Sequence, residues 1–287
     1  MNFIRNHKKI VFVLLLVFFL FILLRNFKDT SNHYVNSIYK SDERIYHEFL
    51  GKDDQAMYDL LLDYSLKHKM NTIIDMDKYH CYDYLDCADV IHYAHEAIMV
   101  DHPELMNYAG YSWHYVNNTF FLHLRPSYIL SYKDYYGEQR ILSILSKIKK
   151  DTKDMDDREK ILYVYNWMGE NNSYDYYFTY TSKNQSVYNV FVKHNAVCAG
   201  FAKASQIIFS SIGIESYIVS GMSDDSHMWN IVQYDGHYYY FDSTIAVGLK
   251  KSSEHYYDGL SQVYLNDYVP DHPDWYPEVE QENMFEL

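Results

Sequence analysis

The dipeptide Asp235-Gly236 constrains this chain more than any other feature, because it separates two runs of alternating character, Met228–Tyr234 and His237–Asp242. An Asp-Gly pair in that setting marks a two-residue hairpin, since both central residues of the favoured turn need positive φ. With two residues in the loop, Tyr234 pairs with His237 and the register of the whole ribbon follows. Trp229 then falls opposite Asp242, and His227 opposite Thr244. Side chains alternate across a strand, so His227, Trp229, Asp242 and Thr244 are expected on one face. His227 and Asp242 become diagonal neighbours on that face, with Cα atoms roughly 7–8 Å apart, within reach of a carboxylate-to-imidazole hydrogen bond.

The segment before the ribbon supplies a partner for that pair. Phe201, Ala204, Ser205 and Ile208 stripe one face of a helix that ends at Gly213, and Cys198 stands at its start. Unpaired backbone N–H groups and the positive end of the helix dipole gather at such a position. Both favour a thiolate, the nucleophile that acyl transfer needs. A lone cysteine is by itself an ordinary small buried residue, the histidine alone a core or rim residue, and the aspartate alone a strand-end turn residue. Placed together, with the cysteine heading a helix and the other two on one face of the ribbon, they point to nucleophilic catalysis. In that chemistry Asp242 fixes the imidazole and stabilises the imidazolium formed when His227 deprotonates Cys198. Trp229, adjacent on the same face, is the candidate substrate-binding residue, with packing of the sheet as its alternative role.

Cysteine usage fits a free thiol at position 198. Of the three cysteines, Cys81 and Cys87 are close enough in sequence to pair in an oxidising compartment, and Cys198 is left over whether or not they do.

Helical periodicity dominates the segments upstream. Met57, Leu60, Leu61 and Tyr64 fall at helical spacing, and a second helix is expected over Cys87–Val100, stopping before His102-Pro103. Phe120–Tyr132 mixes strand-like runs with Pro126. Ile141, Leu145 and Ile148 share a helical face. Asp157 is the expected cap of a further helix carrying Ile161, Leu162, Val164, Tyr165 and Met168. Helices first, then the cysteine-bearing helix, then antiparallel strands make an α+β chain.

At the other end, Ile10 to Leu24 is an unbroken run of fifteen apolar residues bounded by Lys9 and Arg25. It is short for a spanning helix, but snorkelling of the flanking basic side chains makes up the difference, and no small-residue cleavage site follows it. We expect residues 1–9 to be a cytoplasmic tail, 10–24 a transmembrane anchor and 25–45 a stalk, with the rest outside the membrane. Beyond these come a helical N-terminal region over 46–150, a catalytic core over 151–250 and a C-terminal extension over 251–287. Residues 1–28 carry a charge of +5, so the remaining 259 residues carry −19. Such a domain repels phosphate backbones and excludes nucleic acid as a partner, while a basic peptide or cationic amine is electrostatically favoured. The 33 tyrosines are spread through every segment and read as amphipathic core and sheet filler.

Other constellations are weaker. His92, His95 and Glu96 lie at helical spacing without a further ligand set and read as a wet helix face, so no metal is expected. Asp224-Asp225 and Asp151–Asp157 lack the alternation of a calcium loop. No glycine loop for phosphate is present, and no cofactor is expected.

The run Asn195-Ala196-Val197-Cys198-Ala199-Gly200-Phe201-Ala202, with Gly213-Ile214-Glu215, His227-Met228-Trp229-Asn230-Ile231-Val232 and Tyr239-Tyr240-Phe241-Asp242-Ser243-Thr244, resembles the bacterial transglutaminase-like superfamily. The resemblance covers about residues 157–246. It implies a papain-like α+β core, helices packed on an antiparallel sheet, with Cys198 as nucleophile, His227 as general base and then acid, and Asp242 as orienter. It further implies acyl transfer from an amide to an amine, which cross-links, or to water, as in a peptidase or amidase. The sequence departs from the family pattern at Ala199, where glutamine is common, and at Ile245, where tryptophan is. Substrates are expected to be proteins or peptides, of the cell envelope given the anchor. The alternative is a non-catalytic envelope scaffold or peptide-binding module on the same fold.

Overall fold

The computed structural model describes residues 17–18, 45–66, 71–81, 83–105, 108–116, 119–126, 131–177, 182–223, 225–249 and 268–280. The first elements are helices α1 (Ile45–Phe49) and α2 (Lys52–Leu66), strand β1 (Asn71–Asp75) and helix α3 (Tyr84–Asp101). Of the expected stripe on α2, Met57 and Leu61 are fully buried. Helix α3 starts where the Asp83 side chain accepts hydrogen bonds from the backbone N–H groups of Leu85 and Asp86, and it stops ahead of Pro103. Cys81 and Cys87 form a disulfide across the start of this helix, their Cα atoms 5.1 Å apart. These helices share a core built on Tyr46, Met57, Tyr58, Leu61, Ile91 and Ile98, which extends to Ala202 and Ile218 of the downstream region.

The region 46–150, expected to be helical, also contains a sheet. Strands β2 (Tyr108–Val116) and β3 (Thr119–Pro126) join β1 in an antiparallel sheet of order β1-β3-β2. The runs are rich in aromatic residues that suit a pleated surface, and only two residues separate the paired Val116 and Thr119, so a tight hairpin wins over a helix.

The remaining elements are α4 (Ser131–Asp151), α5 (Asp157–Asn171), the short parallel pair β4 (Ser173–Tyr174) and β5 (Asn195–Ala196), α6 (Cys198–Ile212), β6 (Ser216–Met222), β7 (Ser226–Tyr234), β8 (His237–Phe241), α7 (Ser243–Leu249) and β9 (Val269–Pro270). The cap of α5 is Asp156 rather than Asp157. Asp156 accepts from Glu159 N–H while the Glu159 carboxylate reaches back to the Asp156 N–H, a reciprocal arrangement that Asp157 would have to give up. Helix α6 begins at Cys198 and ends at Gly213, whose φ of 79° is left-handed.

Strands β8, β7, β6 and β9 form an antiparallel sheet in that order. Asp235 and Gly236 have φ of 50° and 80°, and the ribbon pairs from Tyr234 with His237 to Asn230 with Phe241. One face of the sheet buries Val232, Tyr239 and Phe241 with Tyr165, Phe201 and Phe209 of the helices. Burying each large apolar side chain contributes about 1.5–3 kcal/mol. The other face carries Val219, Trp229 and Ile231. The register is as expected from the turn, but β8 stops one residue early. The Asp242 carboxylate accepts the Thr244 N–H at 2.7 Å and so caps α7, which places Thr244 in a helix instead of opposite His227.

Among the described residues no helix is long and apolar enough to cross a membrane. The anchor expected at 10–24 lies outside them, apart from Val17 and Phe18, which are helical.

Candidate active site

Helix α6 brings Cys198 to the sheet, and three polar contacts seat it there. Asn230 Nδ2 of β7 donates to Ala202 O at 3.1 Å, Ser205 Oγ bonds Ser243 Oγ at 3.0 Å, and Gln206 Nε2 donates to Ser216 O at 2.6 Å. All three sit in buried surroundings, where losing a partner strands a polar group at about 1–3 kcal/mol. The side chain of Val197, ahead of Cys198, offers the first turn no hydrogen bond. The Cys198 backbone N–H instead meets the hydroxyl of Tyr174, carried there by the pairing of β4 with β5.

Cys198 is a free, half-buried cysteine. Its side chain is hydrogen-bonded to His227, near the start of β7. His227 Nε2 lies 2.7 Å from Asp242 Oδ2, which leaves Nδ1 as the ring nitrogen for the sulfur. The structure therefore brings together the three residues that the ribbon register and the helix start had placed near one another. Burial opposes a charge on His227 more than any other single influence. The hydrogen bonds that His227 makes to Asp242 and Cys198, with the electrostatic attraction of both, outweigh it and lift the imidazole to about 10. Asp242 is 4% exposed. Burial acts to raise its carboxyl, but His227, the Tyr268 hydroxyl and the Thr244 N–H together hold it below the ordinary range. An imidazolium–carboxylate pair beside a cysteine at a helix N-terminus can activate a thiol and then protonate a leaving group.

Trp229 does not line a channel. It is 1% exposed, stacked behind the His227 ring at 6.0 Å and 19°, and flanked by Tyr240. The alternation that puts it on the His227 face also buries it in the outer cluster of the sheet. Two tyrosines at the site carry no periodic signal in the sequence. Tyr174 stands in the Ser173–Tyr174 strand, which is too short to show periodicity, and Tyr268 stands 26 residues beyond the aspartate it contacts.

The remaining candidates separate cleanly. His92 is exposed and lies 3.4 Å from Glu96, as a wet helix face implies. His95 is half-buried, and burial, with the Lys203 charge beside it, lowers it to about 3. Among the described residues no group of three or more histidine, cysteine, aspartate or glutamate side chains is arranged to hold a metal ion.

Residues 146–243 match the transglutaminase-like superfamily model, in line with the resemblance seen over about 157–246. No curated protein matches the chain. Among solved structures, it is similar to a TGase at 18% identity and a TM-score of 0.34, over 47% of this chain and 43% of that one. A proposed cysteine protease from Cytophaga hutchinsonii shares 13% identity at a TM-score of 0.33, over 49% of this chain and 63% of that one. The periplasmic domain of TgpA from Pseudomonas aeruginosa, bound to ethylmercury, shares 13% identity at a TM-score of 0.32, over 46% and 58%. The chain thus spans less than two thirds of the length of each.

Proposed function

We propose that this chain, whose residues 146–243 are transglutaminase-like, is a thiol acyltransferase or amidase that acts on proteins or peptides outside the cytoplasm. The observation that carries the reading is the unbroken hydrogen-bond chain from Cys198 through His227 to Asp242. Cys198 attacks an amide carbonyl as a thiolate. The C–S bond forms as the carbonyl π pair moves onto oxygen, and the Cys198 N–H with the Tyr174 hydroxyl at its side stabilises that oxyanion. His227 passes its proton from Nδ1 to the leaving amine as the C–N bond breaks, giving an acyl-enzyme. An amine or a water molecule then attacks the thioester, gives its proton to His227, and releases Cys198. Asp242 remains a carboxylate throughout and keeps the ring oriented.

Location outside the cytoplasm is supported by the Cys81–Cys87 disulfide, which suits an oxidising compartment, and by the apolar run at 10–24. The test is to incubate the full chain with a casein-type protein and a fluorescent amine, and to follow incorporation and cleavage in parallel. Either product, lost in Cys198→Ala, supports the reading and tells cross-linking from hydrolysis. Binding of the protein with neither product, unchanged in Cys198→Ala, supports a scaffold instead.

A further inference from the structure

The segment 268–280 plays no role in the reaction as written above, yet it runs as a strap along the sheet and begins at the triad. Its strand β9 adds to the sheet edge by pairing Pro270 with Gly221 and Val269 with Met222. The Asp271 N–H donates to Ser220 O, and Ser220 Oγ donates to Asp271 Oδ2, each at 3.0 Å. Further on, the Glu280 N–H donates to Tyr238 O at 2.8 Å and its carboxylate lies 2.7 Å from His237 Nδ1, so both ends of the strap are tied to the sheet. The fit at β9 requires a glycine: a Cβ at Gly221 would strike Val269 O and approach Pro270 Cα to 2.9 Å and Trp229 to 2.8 Å. Between its ends the strap packs Trp275 and Tyr276 against Tyr46 of α1, at 5.8 and 5.7 Å.

What this backbone delivers is one phenol. The Tyr268 hydroxyl donates to Asp242 Oδ2 at 2.6 Å, the same oxygen that faces His227 Nε2. The ring stands edge-on to Trp229 at 4.9 Å and lies 5.9 Å from the His227 ring. The imidazole is thus bracketed by two aromatic rings, stacked on Trp229 and edged by Tyr268. Among the described residues, the Thr244 N–H holds Oδ1. Without Tyr268 the carboxylate would keep a donor on Oδ1 but only its catalytic partner on Oδ2.

We propose that Tyr268 is a positioning residue that fixes the Asp242 carboxylate and the His227 ring in the orientation serving Cys198, which makes the strap part of the catalytic unit. The inference rests on the acyl-transfer reading, and its test keeps the two separable. Tyr268→Phe removes a single hydroxyl and keeps the ring packing. Loss of one hydrogen bond to a buried carboxylate predicts a kcat lower by about 10-fold with KM little changed. In ¹⁵N-histidine spectra, the Nε2 proton of His227 should exchange with water about 10-fold faster than in the wild type. Tyr268→Leu, which opens the aromatic bracket as well, should lower kcat further. Wild-type kcat and wild-type proton lifetime in Tyr268→Phe would overturn the proposal. So would a lowered melting temperature with both readouts unchanged per folded molecule, which would mark the strap as structural only. The proton lifetime is measured without turnover, so a wild-type chain that transfers no acyl group would sink the acyl-transfer reading and leave this test readable.

Discussion

Two buried aspartates, one in each half of the molecule, are held almost alike and behave in opposite ways. Asp101, at the end of α3, and Asp242, at the end of β8, are each 4% exposed. Each accepts three hydrogen bonds: Asp101 from Tyr46 N–H, His47 N–H and the Tyr58 hydroxyl at 3.0–3.1 Å, and Asp242 from His227, Tyr268 and Thr244 at 2.6–2.7 Å. Burial is the largest influence on both. At Asp101 it prevails and the carboxyl is raised; at Asp242 it is overcome and the carboxyl is lowered. The difference is a directly bonded cation. Neutral donors satisfy a buried carboxylate, but an imidazolium keeps it ionised. The first arrangement ties α1 and α2 to α3. The second stores a charge next to a thiol.

The largest effect that could break this contrast is on turnover. Asp242→Asn should lower kcat by about 10³-fold, because the imidazole loses its orienting charge. Asp101→Asn should leave kcat per folded molecule unchanged and instead cost about 1–3 kcal/mol of stability, since an amide cannot accept from all three donors. Equal losses of kcat in the two variants would erase the distinction.

A smaller effect, on stability against pH, sharpens it through sign. Asp242 is lowered in the fold, so its contribution is present above the unfolded value of 3.8 and is lost as the pH falls through its folded value. Asp101 is raised, so the fold binds its proton more tightly than the unfolded chain, and stability is lost as the pH rises from 3.8 through the folded value. Melting temperatures of the wild type, measured relative to each asparagine variant, should therefore drift in opposite directions on acidification. On the alkaline side, His227 is raised, so its contribution is full below 6.5 and disappears as the pH climbs to about 10. Parallel drifts for the two aspartates would contradict the assignment.

The smallest effect separates the halves altogether. Replacing Cys81 and Cys87 by serine removes a short covalent loop worth about 2 kcal/mol. Chemical denaturation should register that loss, while kcat per folded molecule stays at the wild-type value.

The half that carries Cys198, His227 and Asp242 was largely legible from sequence, because its determinants are local. A two-residue turn that needs positive φ left Asp235-Gly236 one register, and that register placed His227 and Asp242 within reach of each other. A helix striped by Phe201, Ala204 and Ile208 had to begin near Cys198. What escaped depends on competition or distance. Asp242 has two uses, extending β8 or capping α7, and the unpaired N–H of Thr244 decided for the cap. Trp229 sits on a strand whose two faces are both buried, so alternation gave its side but not its exposure. The strands β2 and β3 carry aromatic runs that fit a helix face or a sheet, and the pairing of β3 with β1 on one side and with β2 on the other settled them. Tyr268 belongs to a segment without periodicity, and only the three-dimensional fit around Gly221 brings it to the carboxylate.

The central claim is that the hydrogen-bond chain from His227 to Asp242 makes the sulfur of Cys198 a nucleophile. Iodoacetamide labelling of the full chain at neutral pH, read by peptide mapping, tests it directly. The account predicts that Cys198 alkylates at least about 10-fold faster than a free cysteine peptide, and that His227→Ala removes the advantage. A rate equal to that of the free peptide, or one that His227→Ala leaves untouched, would contradict it.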